Sequence, residues 1–399
     1  MTAPGGGTRP WVMLGLIAAV ELLGMAGWFA GGVAAHQLAS AWNLTSSEVA
    51  WLTSTVQLGF VAGTLTAALL NLADVIPARW YVAGAAIGAA LANVSLLWAG
   101  GYGAALLTRF LLGFCLAGVY PPAMKMAATW FKDRRGLAIG TVVAALTIGK
   151  ASPYWVEALG GLSLDAVIGS TAAAAALAGL VVSVGYRDGP FAFPPRPFSW
   201  RLVGQIFRIA DLRLVTAGYL GHMWELYAFW SFVAVYWAAS LPGAGPRAVA
   251  TLAGLSIAVG AVGCIAGGLA ADRVGRERVV LWSLAVSGSA AVASALVFHG
   301  PGWLRLVVIL VWGVAIIADS AQYSALVTEL APPHAVGTAL TLQTSIGFLL
   351  TMAAIQMVAG LGGPATPWAF PLLAVGPALG FVAIRVAAKR RVGPPGLSA

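Results

Sequence analysis

Twelve apolar segments, separated by short polar loops, constrain the fold of this chain more than any other feature. A helix needs about 20 apolar residues to cross the hydrocarbon core of a bilayer. Stretches of that kind lie at 11–37, 48–71, 79–99, 103–128, 136–158, 165–186, 211–240, 248–271, 279–299, 304–328, 336–360 and 367–386. Only 9% of the residues are charged, against about 25% in a soluble domain. The pattern predicts an all-α membrane protein with twelve transmembrane helices.

A charged loop occurs twice, and its two copies are separated by half the chain length. The run from Gly268 to Arg278 lies between two apolar segments, and a degenerate copy of it extends from Leu70 to Arg79. Their aspartates, Asp74 and Asp272, are 198 residues apart in a chain of 399. Such a repeat predicts two pseudo-symmetric six-helix bundles, an architecture typical of transporters.

We expect the two bundles to comprise 1–186 and 211–399, joined by a cytoplasmic linker at 187–210. The prolines of the linker interrupt any helix at its start. The segment that follows, from Trp200 to Arg208, mixes apolar and basic residues at helical spacing. It predicts a short helix on the inner leaflet, although a plain linker fits as well. The linker prolines are Pro190, Pro194, Pro195 and Pro197.

The distribution of lysine and arginine predicts the orientation. With a cytoplasmic N-terminus, 17 of the 22 basic residues fall on the cytoplasmic side and only Arg247 and Arg305 on the other. This asymmetry follows the positive-inside rule, so both termini are expected in the cytoplasm. The net charge of +9 is therefore explained without nucleic acid. Cys115 and Cys264 lie in apolar segments without a partner at metal or redox spacing, so we expect no metal and no cofactor.

These loops resemble those of the major facilitator superfamily. The family pattern, between helices 2 and 3 and again between 8 and 9, reads Gly-x-Leu-Ala-Asp-Arg-x-Gly-Arg-Lys. The second copy matches it at Gly268, Ala271, Asp272, Arg273, Gly275 and Arg276. The first copy keeps Leu72, Ala73, Asp74 and Arg79, but has Leu70, Val75 and Pro77 where the family has Gly, Arg and Gly. A helix-4 motif of the family, Arg-x-x-x-Gly, matches Arg109 and Gly113. The chain is also loosely similar to the nitrate/nitrite and cyanate porter branches.

The two loops are predicted to form a latch on the inner gate. Glycine lets two helices approach closely, and an aspartate at a helix end can pair with an arginine on a neighbouring helix. The alternative is a turn whose charges only set the topology. Because the first copy is eroded, we expect the second to contribute more to gating. The predicted gating residues are Asp74, Arg79, Gly268, Asp272, Arg273, Gly275 and Arg276.

Seven ionisable side chains lie inside the predicted spans and away from their ends, although each costs about 2.5–3.5 kcal/mol on insertion scales. They are Glu21, Arg109, Lys125, Lys150, His222, Glu225 and Asp319. All but Lys150 fall on helices 1, 4, 7 and 10, which the resemblance assigns to the central cavity.

Four of these groups are predicted to carry protons, because buried carboxyl and imidazole groups can exchange protons near neutral pH. They are Glu21, His222, Glu225 and Asp319. The alternative for Glu21 and Glu225 is a structural pairing with Arg109 or a lysine, and the alternative for His222 is a hydrogen bond to a carbonyl group. His222 lies one helical turn from Glu225, which favours a shared proton.

The predicted solute-binding residues are Arg109, Lys125, Lys150, Tyr227 and Gln322. Lys150 is the most informative, because Gly149 and Pro153 predict a break of helix 5 beside it, and broken helices in transporters bind ions. An ammonium there would attract an anion. Arg109 is as well explained by an ion pair with a carboxylate such as Glu21, and Lys125 by an ammonium that reaches the inner interface.

The favoured function is proton-coupled transport of a small anionic or zwitterionic solute, either by symport or by antiport. The alternative is a proton-driven exporter of amphipathic or cationic compounds, and a receptor or scaffold without transport is less favoured. No Walker-type sequence, metal-ligand cluster or nucleophile–base arrangement is present, so neither ATP-driven transport nor an enzyme is expected. We expect a monomer in the bacterial inner membrane whose partners are the solute, protons and lipid, with no nucleic acid.

Overall fold

The described part of the chain is all-α, with twelve long helical segments, here α1 to α12, a short linker helix, and two further short helices at Ala35–Trp42 and Leu72–Val75. The computed structural model describes residues 8–33, 35–132, 134–160, 163–191, 198–362 and 367–392, and these contain no strand. The segments are α1 Arg9–Val33, α2 Ser46–Leu69, α3 Ala78–Trp98, α4 Tyr102–Trp130, α5 Arg135–Leu159, α6 Leu164–Gly185, α7 Ala210–Ser240, α8 Pro246–Val274, α9 Arg276–Leu296, α10 Gly302–Leu330, α11 Val336–Gly360 and α12 Pro371–Arg391. The predicted twelve-helix architecture is confirmed.

Eleven of these segments in the described part of the chain are long and apolar enough to cross a membrane. The remaining one, α7, has 31 residues, which is more than enough length. Its hydropathy is lowered by His222, Glu225 and several tyrosines and tryptophans, most of them buried. The most polar of the long helices is thus one that carries predicted functional groups.

The packing of the helices repeats after six helices. In the first half α1 contacts α5 and α6, α2 contacts α4, and α3 contacts α4 and α6. In the second half α7 contacts α11 and α12, α8 contacts α10, and α9 contacts α10 and α12. Each contact in one half has its counterpart six helices later, as expected for two pseudo-symmetric six-helix bundles.

The two halves meet along two seams, α5 against α8 and α2 against α11. Small residues make the first seam close: a Cβ added to Gly140 would lie 2.8 Å from the carbonyl oxygen of Cys264. In the second seam the Phe60 and Phe348 rings are 4.5 Å apart between centroids. Nearer one end of that seam, Ser47 donates to Gln356 Oε1 at 2.8 Å.

Helix α5 corrects one prediction, because it is continuous past Lys150. The helix runs from Arg135 to Gly160 with Pro153 inside it. A proline removes one backbone N–H and frees the carbonyl four residues earlier, here that of Gly149. The Ser152 hydroxyl donates to that carbonyl at 2.7 Å and replaces the missing bond. Gly149 serves close packing instead, since a Cβ there would lie 2.2 Å from the Leu22 carbonyl oxygen on α1.

Four other helices are interrupted where no break was predicted. Helix α1 tightens into a 3-10 turn at Met25–Gly27, and α4 is interrupted between Leu116 and Tyr120. Helix α8 is interrupted at Val259 and α10 at Asp319. The irregular turns in α1 and α10 lie beside polar side chains that the sequence predicted to be functional.

The linker contains the predicted short helix, which runs from Trp200 to Arg208 and contacts α7 and α11. The side chain of Trp200 is exposed, whereas that of Ile206 is buried against the protein. Just before this helix, the backbone N–H of Ser199 donates to Thr338 Oγ1 on α11 at 3.0 Å. Placement of the helix on the inner leaflet remains a prediction. Of the four linker prolines, Pro194, Pro195 and Pro197 lie outside the described residues.

Candidate functional site

Six buried aromatic side chains meet between the two halves of the protein, and we call them the aromatic cluster. They are Trp28 and Phe29 of α1, Phe60 of α2, Tyr227 and Trp230 of α7, and Phe348 of α11. The rings contact across the interface, with centroids 5.6 Å apart for Trp28 and Tyr227 and 5.1 Å apart for Tyr227 and Phe348. The cluster therefore joins both bundles in the middle of the molecule.

The ammonium group of Lys150 lies inside this cluster and is 1% exposed. Its Nζ is 3.9 Å from the ring centroid of Trp28, 4.6 Å from that of Tyr227 and 5.2 Å from that of Trp230. It also donates to the Tyr227 hydroxyl at 2.5 Å. Lys150 and Tyr227, both predicted to bind solute, are thus brought together across the interface. Three ring faces around one cation form an aromatic cage.

Glu21 is fully buried on α1, and neither of its carboxyl oxygens has a hydrogen-bond partner among the described residues. Its charge interacts with that of Lys150 on α5. Because a buried polar group without a partner is costly, such groups in native proteins need an explanation. Glu21 is therefore the strongest candidate in the first half for a group that exchanges protons or meets a ligand.

Arg109 has no carboxylate partner among the described residues, which corrects the predicted ion pair with Glu21. Its Nη1 donates to Asn93 Oδ1 at 3.1 Å and its Nη2 to the Gly27 carbonyl at 2.9 Å. Gly27 belongs to the 3-10 turn of α1, where carbonyl groups lack regular helical partners. The arginine thus holds together α1, α3 and α4 through its two terminal nitrogens, while its buried Nε has no partner among the described residues.

His222 contacts Asp319, not Glu225 as predicted. The imidazole Nδ1 lies 2.9 Å from Asp319 Oδ1, an ion-pair distance without the alignment of a hydrogen bond, and both side chains are buried. The rings of Tyr219 and Tyr323 pack against the imidazole, with centroids 6.0 and 5.6 Å away. Asp319 lies at the interruption of α10. This pair forms a second buried titratable site, within the C-terminal half.

Glu225 accepts two hydrogen bonds from neighbouring helices. Ser287 Oγ on α9 donates to its Oε2 at 2.9 Å, and Trp312 Nε1 on α10 donates to its Oε1 at 2.5 Å. All three side chains are buried. The carboxyl group therefore points into the C-terminal half and has its own partners, unlike Glu21.

Gln322, predicted to bind solute, contacts the second charged loop. Its Oε1 accepts from Arg276 Nη1 at 3.1 Å, and the same arginine donates through Nε to Glu329 Oε1 at 2.7 Å. These contacts connect the first turn of α9 with α10. In this conformation the glutamine stabilises the loop and does not contact the aromatic cluster.

The second loop contacts the opposite half of the protein. A Cβ added to Gly136, in the first turn of α5, would lie 3.0 Å from Asp272 Oδ1, and one added to Gly268 would lie 2.9 Å from the Gly136 carbonyl oxygen. A carboxylate is favoured at a helix N-terminus, where the helix dipole is positive. Gly275 closes the loop at φ +91°, a conformation that side chains rarely adopt. Arg273, which follows Asp272, lies in the last turn of α8.

The first loop is held within its own half. Lys125 forms an ion pair with Asp74 and donates to the Ala73 carbonyl at 3.0 Å. Arg79 lies over the Trp80 ring, 5.0 Å from its centroid. Lys125, predicted to bind solute, is thus placed at the loop, not at the aromatic cluster. The two copies of the loop differ in contact as they differ in sequence.

A cleft of about 320 Å³ opens beside the first loop. Asp74, Lys125, Tyr186 and Asp188 are among the residues that line it. Burial raises the pKa of the Tyr186 phenol well above its usual value, with the Asp188 charge acting in the same direction. The phenol therefore stays neutral, and the ion pair of the cleft is the one between Lys125 and Asp74.

Sequence reasoning missed several residues of the site. Phe60 and Phe348 are phenylalanines in apolar helices and give no signal of their own. Asn93 and Ser287 are polar residues within spans, which is a weaker signal than a charge. Trp28 and Trp230 lie deep in their spans, but the sequence does not show which ring faces Lys150.

The comparisons with known proteins agree with this architecture. A sequence profile of the Major Facilitator Superfamily matches residues 17–355. The chain therefore belongs to the major facilitator superfamily and is a membrane transporter, not an enzyme. No curated protein sequence matches it.

Two solved structures show the same fold. A bacterial homologue of the human lysosomal transporter Spinster, in an inward-facing and occupied conformation, is 15% identical with a TM-score of 0.73, covering 98% of this chain and 100% of that one. A mutant of the nucleoside transporter NupG is 15% identical with a TM-score of 0.69, covering 94% of this chain and 99% of that one. At such identity the likeness concerns the fold alone.

Proposed function

We propose that the protein is a proton-coupled secondary transporter that moves a small anionic or zwitterionic solute by alternating access. The observation that carries the proposal is the position of Lys150, a buried ammonium that joins both halves through Tyr227. An ionisable group in a membrane interior is costly and is retained where it binds an ion, a solute or a partner. An anion that reaches the aromatic cluster when the halves separate would find this ammonium.

Glu21 supports the coupling to protons. When it is ionised, its charge balances Lys150 in the interior. When it takes up a proton, the ammonium needs another counterion, which the solute supplies. One proton thus accompanies one anion, and the protein carries no unbalanced charge through the bilayer. His222 with Asp319, and Glu225, are the alternative proton carriers in the C-terminal half.

The test is flux in proteoliposomes that contain a pH-sensitive dye. A thermal-shift screen of the purified protein against small anions, amino acids and organic cations first selects solutes, because a bound ligand raises stability. Adding a selected solute outside should then acidify the lumen if a proton enters with it. Lys150→Gln should abolish both uptake and acidification, whereas Lys132→Gln, at an exposed lysine, should change neither.

Glu21→Gln separates coupling from binding. The variant mimics the protonated carboxyl group, so we expect solute exchange to continue while acidification stops. Glu225→Gln is the matched comparison in the second half. Acidification that persists in Glu21→Gln and stops in Glu225→Gln would move the proton site to the C-terminal half. Uptake at the wild-type rate by Lys150→Gln would remove the lysine from the site and with it the proposal for an anion.

The aromatic cage favours a second candidate function, which is proton-driven export of amphipathic or cationic compounds. Three rings around a cation bind organic ammonium groups well. In that case Lys150 occupies the place of the substrate cation and must leave it. Tetraphenylphosphonium would then bind more tightly to Lys150→Gln than to the wild-type protein, the reverse of the result expected for an anion.

The topology follows from the charge distribution and is part of the same proposal. We place the protein in a bacterial inner membrane as a monomer with both termini in the cytoplasm. Single cysteines at Lys389 and Arg247 should be labelled by an impermeant maleimide from opposite sides of the membrane. Labelling of both from the same side would overturn the assignment.

A further inference from the structure

Only one of the three predicted intramembrane cations is available at the interface between the halves. Arg109 is bound to Asn93 and Gly27 within the first half. Lys125 is bound to the first loop, through Asp74 and the Ala73 carbonyl. Lys150 alone reaches the second half. A solute at the aromatic cluster therefore meets a single positive charge.

The surroundings of that charge are mainly aromatic, and the polar groups there that lack a partner among the described residues include the buried Nε1–H donors of Trp28 and Trp230. The rings of Trp28 and Trp230 face the ammonium, and Phe60 and Phe348 pack beside them at a centroid distance of 4.5 Å. The Tyr227 hydroxyl is the hydrogen-bonding group that contacts the ammonium in the described part of the chain. A second negative charge on the solute would remain unpaired there. Removing that charge from water would cost more free energy than its distant attraction to the ammonium would gain. A small inorganic anion could use these few donors but would leave the ring faces without an apolar contact.

We infer that the solute is a monocarboxylate with an apolar body, preferably an aromatic ring. The inference rests on the proposed transport function and narrows its solute class. The carboxylate binds the Lys150 ammonium, and the body packs against the rings of the aromatic cluster. Glu21 must then be protonated, since an ionised Glu21 would compete for the ammonium. The titratable groups that interact electrostatically with Glu21 are Lys150 of α5, Tyr120 of α4 and Tyr227 of α7.

Five probes test the class by isothermal titration of the full chain in detergent. Phenylacetate has one charge and a ring, phenylmalonate has two charges and a ring, and acetate has one charge and no body. Phenylacetamide is the neutral analogue and phenethylammonium the cationic one. We expect phenylacetate to bind at least about tenfold more tightly than each of the others. Phenylacetamide and phenethylammonium lack the charged hydrogen bond, which contributes about 1.5–3 kcal/mol. Acetate lacks the ring, and phenylmalonate carries a second, unpaired charge. Phenylacetate should also bind more tightly at pH 6 than at pH 8.

Two variants locate the interaction, and their folding is checked by size-exclusion chromatography. Lys150→Gln should lower the affinity for phenylacetate by about tenfold or more, while Lys132→Gln should not. Trp28→Leu should lower the preference for phenylacetate over acetate. Glu21→Gln should remove the difference between pH 6 and pH 8. The order of the five probes on the unmodified protein decides the class even where a variant does not fold.

The outcomes distinguish this inference from the proposed function. Tighter binding of phenylmalonate or acetate than of phenylacetate, lost in Lys150→Gln, would overturn the monocarboxylate class and leave anion transport intact. Binding of phenylacetate without proton-linked flux in proteoliposomes would overturn the proposed function and leave the binding site. Tightest binding of phenethylammonium, strengthened in Lys150→Gln, would overturn both.

Discussion

The close approach of α2 and α4 leaves no room for an added methyl group at Gly113, so the substitution Gly113→Ala tests this packing. A Cβ on Gly113 would lie 2.0 Å from the Val56 carbonyl oxygen, where ordinary contact begins at 3.4 Å. The reciprocal position is equally tight, since a Cβ on Gly59 would lie 2.0 Å from the Phe110 carbonyl oxygen. Both obstacles are backbone atoms that cannot rotate away. Gly113→Ala must therefore push the helices apart by more than an ångström.

Two opposing effects set the magnitude. Alanine gains up to about 1 kcal/mol over glycine in helix propensity. Overpacking costs about 1–3 kcal/mol, and the upper end applies here because the contact is between backbones. Overpacking wins, and we expect Gly113→Ala to lower the free energy of unfolding by roughly 2 kcal/mol. Gly84→Ala on α3 is the matched control, because a Cβ there would meet nothing within 4 Å.

The assay is unfolding of the purified protein in mixed micelles by sodium dodecyl sulfate, followed by circular dichroism. We expect a lower midpoint for Gly113→Ala and an unchanged or slightly higher midpoint for Gly84→Ala. Equal midpoints for Gly113→Ala and the wild-type protein would refute the reasoning, because the contact would then relax at no cost. A loss of stability in both variants would show that alanine itself, not the contact, is responsible.

Three further predictions concern the loops and the seam between the halves. Asp272→Asn should weaken closure on the cytoplasmic side by about two- to fivefold, because a carboxylate at a helix N-terminus contributes about 0.3–1 kcal/mol. It should therefore slow solute exchange in proteoliposomes, while Asp74→Asn should have less effect. A change only in equilibrium solute binding would contradict the latch. Gly275→Ala should lower thermal stability by about 1–3 kcal/mol because its φ is positive, and an unchanged melting temperature would contradict the strain. Gly140→Leu should keep the α5–α8 seam open, so that maleimide labelling of Cys264, detected by mass spectrometry, increases; labelling as slow as in the wild-type protein would show that the seam tolerates the side chain.

Much of the fold could be predicted because hydropathy and charge report directly on the environment of each segment. A stretch such as 336–360 is mainly apolar and carries no charged residue, and the structure places α11 at Val336–Gly360. The interruption of α10 at Asp319 was not predictable, since it depends on neighbours from other helices. The supposed break at Pro153 failed for a related reason, because the Ser152 hydroxyl supplies the bond that proline removes.

The candidate site was predicted only in part. Insertion cost identifies Lys150 and Glu21 as unusual from sequence alone. Their partners depend on helix rotation, which a uniformly apolar helix does not reveal. His222 was expected beside Glu225 because the two share a helical face, but His222 contacts Asp319 whereas Glu225 contacts Ser287 and Trp312. Spacing along one helix therefore predicts a shared face but not a shared contact.

The bond between Arg109 and the Gly27 carbonyl bears on how the protein is assembled during synthesis. The arginine on α4 and the irregular turn of α1 each leave polar groups that lipid cannot satisfy. Two of the arginine nitrogens bond to the Gly27 carbonyl of α1 and to Asn93 of α3. Each of these helices carries polar groups that have no partner when it is alone in the bilayer. The polar groups of α1 are therefore paired only after α4 has emerged from the ribosome. The first half then matures as a unit, and a chain that ends before α4 should be retained by chaperones and degraded.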